Sequence, residues 1–270
     1  MDAELARKEH ALREIVRGLG RVVVAFSGGV DSALVLHVAT QELGDDAIGI
    51  TAHSASLPQH EETAAVATAR ASGAQHEIIV THEVEDARYA ANPPNRCYFC
   101  KRELYGRLVE IAAERGAAAV LDGFNLDDAS DWRPGRKAAA EFGVRSPLAE
   151  ARFAKDDVRA LAQHLGLSVW DKPAMACLSS RFPYGTAITL ELLAQVERAE
   201  RAVLDAGLRE CRVRHHGDIA RIEVPLDCVP LLVEPDRRER IVSGVRAAGY
   251  RYVAIDLEGY VSGGFNLSAP

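Results

Sequence analysis

Residues 21–36, RVVVAFSGGVDSALVL, decide the fold. Val22, Val23 and Val24 form a short β-branched run that ends in turn residues, the pattern of a buried strand. The stretch from Asp31 then places apolar residues at helical spacing and closes on Gly44. Between strand and helix lie Ser27, Gly28, Gly29, Val30, Asp31 and Ser32. Glycine allows a positive φ and lets a ligand approach the backbone. The free N–H groups of a helix start, aided by the helix dipole, bind anions, and the two serines add hydroxyl donors. The expected guest is a phosphate. The simpler reading is a tight strand–helix turn capped by serine. The spacing matches neither the G-x-x-x-x-G-K-[ST] loop nor the G-x-G-x-x-G dinucleotide fingerprint.

Working outward, 46–54, 74–82 and 117–125 read as further strands, and 58–73 and 100–116 as helices. This alternation predicts an α/β fold: a parallel sheet with helices on both faces. Beyond about residue 145 the pattern changes. Residues 147–166 read as a turn and a helix. Residues 170–189, WDKPAMACLSSRFPYGTAIT, lack periodicity, as linkers and functional loops do. A helix over 190–207, two strands joined at Gly217-Asp218, a helix over 235–249 and a last strand over 250–257 predict a smaller C-terminal α+β domain. The expected domains are 1–185 and 186–270.

Of the 270 residues, 48% are hydrophobic and 26% charged, with a net charge of -7. An acidic chain without an obvious basic face argues against a long nucleic acid as partner. No apolar run reaches the roughly 18 residues of a membrane span. The first twenty residues are charged throughout, unlike a signal peptide, so a cytoplasmic protein is expected.

Five cysteines, an odd number, argue against a disulfide framework. Cys97 and Cys100 form a C-x-x-C at an expected loop-to-helix boundary, open to a redox pair, half a zinc site or part of an iron–sulfur site. No second pair exists to complete a zinc site, and Cys177 is the best third thiol. Three cysteines suit a [4Fe–4S] cluster with one iron left open. Cys211 and Cys228 read as small buried hydrophobes. Lys101 and Arg181 lie beside these cysteines, where a cation would lower a thiol pKa and attract an anion. Ser180 is placed to donate to a phosphate. Arg212 and Arg214 share one strand face by period two, either as a phosphate grip or as a solvated face. Glu200, on the preceding helix, is placed to orient them or hold a metal ion. His215 and His216 adjoin a turn and are expected to be exposed.

The SGGVDS stretch resembles the pyrophosphate loop of the ATP-pyrophosphatase superfamily, whose members cleave ATP between the α and β phosphates and adenylate a substrate oxygen. The resemblance implies that Asp31 helps hold Mg²⁺. It also implies that Asp127 and Asp128 of DGFNLDD make a metal or nucleotide contact, against a plain helix-cap pair as the other reading. NPPNRCYFCK, ACLSSRFPYGTAIT and EGYVSGGFN together resemble, over nearly the whole chain, the ATP-dependent sulfur transferases of the LarE type. Those enzymes adenylate a carboxylate of pyridinium-3,5-biscarboxylic acid mononucleotide and replace its oxygen with sulfur, on the way to a nickel-binding cofactor. The resemblance implies ATP, Mg²⁺ and a [4Fe–4S] cluster on Cys97, Cys100 and Cys177 as cofactors. It implies Arg212 and Arg214 on the substrate phosphate, a small-molecule mononucleotide as substrate, and a homo-oligomer. In the family's single-cysteine form, the residue matching Cys177 gives up its own sulfur and becomes dehydroalanine. A tRNA thiolation enzyme, an ammonia-using amide synthetase and a non-catalytic nucleotide sensor are the rival readings. The sulfur donor that reloads the enzyme is not legible.

Overall fold

The computed structural model describes residues 1–129, 134–173 and 176–260. Residues 174 and 175 of the aperiodic loop, and the part of EGYVSGGFN beyond Tyr260, lie outside them. In chain order the helices and strands are α1 (Ala3–Arg17), β1 (Val22–Ala25), α2 (Val30–Leu43), β2 (Ala47–His53), α3 (Gln59–Ala71) and β3 (Gln75–Val80). There follow α4 (Ala87–Ala90), α5 (Arg96–Glu114), β4 (Ala119–Leu121), α6 (Gly135–Glu141), α7 (Pro147–Glu150) and α8 (Lys155–His164). The rest are α9 (Leu190–Asp205), β5 (Arg212–His216), β6 (Ile219–Glu223), α10 (Pro235–Ala247) and β7 (Tyr252–Ile255).

Two compact units emerge: Met1–Glu83 with Asn95–Met175, and Val84–Pro94 with Ala176–Pro270. Residues 84–94 and 176–185, which a boundary at 185/186 leaves in the first domain, fall in the second unit.

The first unit holds a parallel sheet in the order β3-β2-β1-β4. Side chains alternate across a strand, and β1 displays this cleanly. Val22 and Val24 join a core with Leu12 and Val16 of α1, Leu34 and Val38 of α2, and Leu161 of α8. Val23 faces the other way, into a second core with Tyr105 and Leu108 of α5 and Ile48 and Ile50 of β2. Helices therefore cover both faces, and a strand buried on both faces reads as the unbroken apolar run seen at 22–24. Each such fully buried Val or Leu contributes about 1.5–3 kcal/mol. Glycine lets α2 pack closely, since a Cβ on Gly49 would come within 2.7 Å of Leu36.

The chain steps from β1 outward to β2 and β3, then returns to place β4 on the other side of β1. The crevice outside the carboxyl ends of β1 and β4 is thus the topological switch point, where open α/β sheets bind ligands.

The second unit carries a sheet in the order β5-β6-β7, with β5 and β6 antiparallel and β6 and β7 parallel. Its core joins Val203 of α9, Val213, Ala220 and Ile222 of the sheet, and Ile241 and Val245 of α10. The expected Gly217-Asp218 turn links β5 to β6, with Gly217 at φ 62°. Thr189 caps α9 by accepting from the Leu192 N–H at 3.2 Å. Cys97 and Cys100 lie at the expected loop-to-helix boundary, Cys97 in the first turn of α5 and Cys100 just beyond it, because the helix begins at Arg96, four residues before the start read from the sequence. One expectation changes. His215 is buried, not exposed, since its ring packs between Phe182 and Tyr250.

Candidate active site

At the end of β1 the backbone turns through Gly28 at φ 73°. A Cβ there would stand 2.7 Å from the Ala65 Cβ of α3, so both conformation and space demand glycine. Ser32 draws the turn together: its hydroxyl donates to the Gly29 carbonyl at 3.1 Å and accepts from the Ser27 N–H at 3.2 Å. Gly29 caps α2 without a side-chain bond, leaving the first-turn N–H groups facing the loop. Asp31 lies in that first turn.

The segment after β4 closes the other side of this crevice. A Cβ on Gly123 would meet the Ser32 nitrogen at 2.7 Å, so this glycine lets the two loops touch. Asn125, 1% exposed, donates from Nδ2 to Asp31 Oδ1 at 3.0 Å. Its own Oδ1 accepts from the N–H groups of Asp127 and Asp128, and Asp128 accepts from the Asn125 N–H. Asp127 accepts from the Lys155 N–H at 2.7 Å and so caps α8. The Lys155 ammonium reaches Asp31 Oδ2 at 2.5 Å. Lys172 donates to the Gly28 carbonyl at 3.2 Å and pairs with buried Glu61 at 2.8 Å. Asn125, Lys155, Lys172 and Glu61 are thus site residues that sequence reasoning passed over. Asn125 stood within the quoted DGFNLDD. The two lysines carry no local pattern.

Asp122, buried at the end of β4, accepts from Ser146 at 2.7 Å, from the Phe124 N–H at 3.1 Å and from the Tyr105 hydroxyl at 3.3 Å. Tyr105 belongs to the cysteine-bearing helix α5. Half-buried Lys101 lies 5.5 Å from the Tyr105 ring centre. Its ammonium is held above its ordinary range, first by Tyr105 and then by Cys100, Asp122 and Cys97, against desolvation. Cys97 is exposed and Cys100 half-buried. Three residues apart in one helix, they share a face.

In the second unit, half-buried Cys177 precedes a turn of 3₁₀ helix over Leu178–Arg181. Arg181, fully buried, fixes that turn. Its guanidinium donates to the Cys177 carbonyl at 3.2 Å and the Ser180 hydroxyl at 2.8 Å, and forks onto Glu200 at 2.7 and 3.0 Å. Desolvation lowers the Arg181 pKa, but Glu200 overcomes it and the net shift is upward. Glu200 also accepts from the Val213 N–H at 2.8 Å, so it serves Arg181 and β5. Arg212 and Arg214 are buried, not solvated. Arg214 donates to the Ser180 carbonyl at 2.8 Å and to Glu223 at 2.7 Å, while Arg212 lies over the Tyr260 ring at 4.8 Å. Arg181, Ser180, Arg214 and Glu200 therefore form one network around the turn that follows Cys177. Cys211 is buried, and desolvation pushes its thiol well above its ordinary range.

Comparison with known proteins decides the family. A model for asparagine synthase matches residues 7–94, which contain the loop. The pyridinium-3,5-bisthiocarboxylic acid mononucleotide synthase of Lactiplantibacillus plantarum is 44% identical over 98% of this chain and 95% of its own. This chain belongs to the pyridinium-3,5-bisthiocarboxylic acid mononucleotide synthase family. An uncharacterized Synechocystis protein, slr1717, is 47% identical over 97% of this chain and 98% of its own. A tRNA-specific 2-thiouridylase of Xanthobacter autotrophicus is 34% identical, but over 57% of this chain and 49% of its own. ATP use fits the family of the asparagine synthase model, whose matched residues include the loop after β1. Among the described residues no helix is long and apolar enough to cross a membrane.

Proposed function

We propose that this enzyme converts carboxylates of pyridinium-3,5-biscarboxylic acid mononucleotide to thiocarboxylates, using ATP and releasing AMP and pyrophosphate. The observation that carries this reading is the near-full-length match to a synthase named for that product, and it is supported by a β1–α2 turn whose helix opens on a glycine cap with no side-chain bond. A carboxylate is a poor electrophile. Attack of its oxygen on the α phosphorus of ATP expels pyrophosphate and leaves an acyl adenylate, whose carbonyl carbon then carries a good leaving group. Sulfur attacks that carbon, AMP departs, and one oxygen has been exchanged for one sulfur.

In this scheme the loop N–H groups with Ser27 and Ser32 hold the pyrophosphate. Mg²⁺ fits the site chemically, because it takes few carboxylates and keeps phosphate oxygens and water, and Asp31 is the carboxylate in the loop. When bound, the ion neutralises charge developing on the phosphates. Asp127 acts by capping α8 and Asp128 by bonding Asn125. Arg212 and Arg214 hold the substrate phosphate, and Arg181 fixes the turn that carries Cys177 and Ser180. Lys101 draws the anionic substrate.

Cys97, Cys100 and Cys177 are proposed as thiolate ligands of a [4Fe–4S] cluster. Thiolates are the ligands such clusters take, and Cys97 and Cys100 share one face of α5. When bound, the cluster would carry a sulfide to the activated carbonyl. In the second reading Cys177 gives up its own sulfur, the role the resemblance implies for this position in the family's single-cysteine form; Cys177 is half-buried and opens the turn that Arg181 fixes. In that reading Cys177 Sγ displaces AMP to give a thioester, and a base removes the Cys177 Hα. The Cβ–S bond breaks, the thiocarboxylate leaves, and dehydroalanine remains. The enzyme is further proposed to be a cytoplasmic homo-oligomer that acts on the free mononucleotide.

Anaerobic turnover with ATP and the pyridinium substrate tests both readings. Iron and sulfide in the protein with unchanged mass support the cluster. Loss of hydrogen sulfide's mass from the protein per product supports sacrifice of Cys177. No AMP on adding substrate would overturn the function.

A further inference from the structure

Two cations of the first unit face a single acid at the end of β4. Asp122 already accepts from the Ser146 hydroxyl, the Phe124 N–H and the Tyr105 hydroxyl. Arg136 of α6 adds the longest bond, from Nη1 at 3.4 Å, and the same nitrogen donates to Ser146 Oγ at 3.0 Å. Asp122 is also the one carboxylate among the groups that hold the Lys101 ammonium. Positive charge is therefore in excess here. Arg136 keeps donors to spend on an anion. Its guanidinium lies flat on Phe124, 3.6 Å from the ring centre. Nη1 is engaged, whereas Nε and Nη2 donate to nothing among the described residues, and the side chain is 39% exposed. That open edge is a rigid planar fork, the shape that matches a carboxylate. Its supports touch both chemical elements of the unit. Gly123, beside Phe124, packs on the Ser32 nitrogen of the phosphate loop, and Gly135, beside Arg136, packs on Lys101 and the Cys97 carbonyl of α5.

We infer that Arg136 is a specificity-determining residue, whose Nε–Nη2 edge forks onto the carboxylate of the pyridinium substrate that is not being activated. This rests on the proposed pyridinium biscarboxylate as substrate. A cation forked onto the reacting carboxylate would withdraw the electrons that attack ATP. The other carboxylate keeps its charge throughout, so one fixed fork holds it equally well before and after adenylation. A ring with a single carboxylate must present that group to ATP, which leaves the fork empty. Arg136 thereby selects a ring that carries two acids.

The test is the rate of pyrophosphate release at saturating ATP in wild type, Arg136→Gln and Arg136→Lys, with pyridinium-3,5-biscarboxylic acid mononucleotide and with nicotinic acid mononucleotide, which has one carboxylate. Arg136→Gln is expected to raise KM for the biscarboxylate at least about tenfold, the worth of one charge-assisted bond. Its kcat should stay within about twofold of wild type, because the fork holds ground state and transition state alike. Its rate with nicotinic acid mononucleotide should not fall, and its thermal midpoint should stay near wild type, since an ion pair this exposed adds little stability. Arg136→Lys keeps the charge without the fork and should restore only part of the loss. If Arg136→Gln fails to fold, Arg136→Lys carries the same comparison. An unchanged KM for the biscarboxylate, or a fall in kcat alone, would overturn the assignment while leaving the proposed function intact. An equal fall in kcat/KM with nicotinic acid mononucleotide would reduce Arg136 to a general charge and overturn it as well. Absence of pyrophosphate release by wild type with the biscarboxylate would overturn the proposed function and the assignment together.

Discussion

The two chemical regions of this enzyme are built on opposite plans. The phosphate loop of the first unit is made of backbone: a glycine at φ 73°, a glycine cap and two serines. The second unit surrounds the turn after Cys177 with buried charge, Arg181 on Glu200 and Arg214 on Glu223, the four side chains between 0% and 6% exposed. A backbone site depends on conformations that a few residue types permit, so it tolerates no added atoms. A buried ion network depends on partners distant in sequence, so it tolerates no lost atoms. The variants that follow probe that contrast.

The largest effect is expected from Arg181→Ala, which leaves Glu200 buried without its cation. Removing one member of such a pair costs about 3–5 kcal/mol, read as a lower urea midpoint. Adding Glu200→Gln, whose amide oxygen keeps the Val213 bond, should recover part of it. No recovery would mean that Arg181 stabilises by packing alone. Next comes Gly28→Ala. A strained backbone of this kind costs about 1–3 kcal/mol, and the new Cβ would stand 2.7 Å from Ala65, so ATP binding is lost along with stability. Normal ATP affinity in Gly28→Ala would break the claim that the loop is fixed by backbone shape. Asn125→Ala follows. It frees Oδ1 of Asp31 and leaves the Asp127 and Asp128 N–H groups short of an acceptor, for about 1–3 kcal/mol of stability. It should also lower ATP affinity, measured by calorimetry.

The contrast also explains what was legible. Val22–Val24 with SGGVDS exposed the strand, the turn and the helix, because period and glycine placement are local properties. The parallel sheet with helices on both faces followed from the same alternation. Lys155 and Lys172 were not legible: Lys155 lies 124 residues from Asp31 and Lys172 lies 144 from Gly28, so only the folded chain brings them to the loop. Period two placed Arg212 and Arg214 together on β5, yet it could not tell a solvated face from a buried one, which Glu223 and the Ser180 carbonyl decide. His215 was misplaced for the same reason. A turn neighbour reads as exposed, but Tyr250 arrives from 35 residues away to accept or donate at 3.0 Å.

That histidine supplies the smallest predicted effect. Desolvation first, and His216 second, hold His215 below its ordinary value of 6.5. Just below that value the unfolded chain binds more protons than the native one. The stability His215 contributes is therefore full above 6.5 and is lost as pH falls through 6.5 toward the folded value. His215→Phe should flatten the acid limb of stability against pH. An unchanged limb would assign it to other groups.

The central claim is that ATP activates a substrate carboxyl so that sulfur can displace AMP. It is tested most directly by following pyrophosphate, AMP and pyridinium product in one anaerobic reaction, for wild type and Cys177→Ser. Wild type should release both pyrophosphate and AMP and yield a pyridinium product in which one oxygen is exchanged for one sulfur. Cys177→Ser should still release pyrophosphate but form no thiocarboxylate. Thiocarboxylate formed without pyrophosphate release, or formed equally well by Cys177→Ser, would contradict the account.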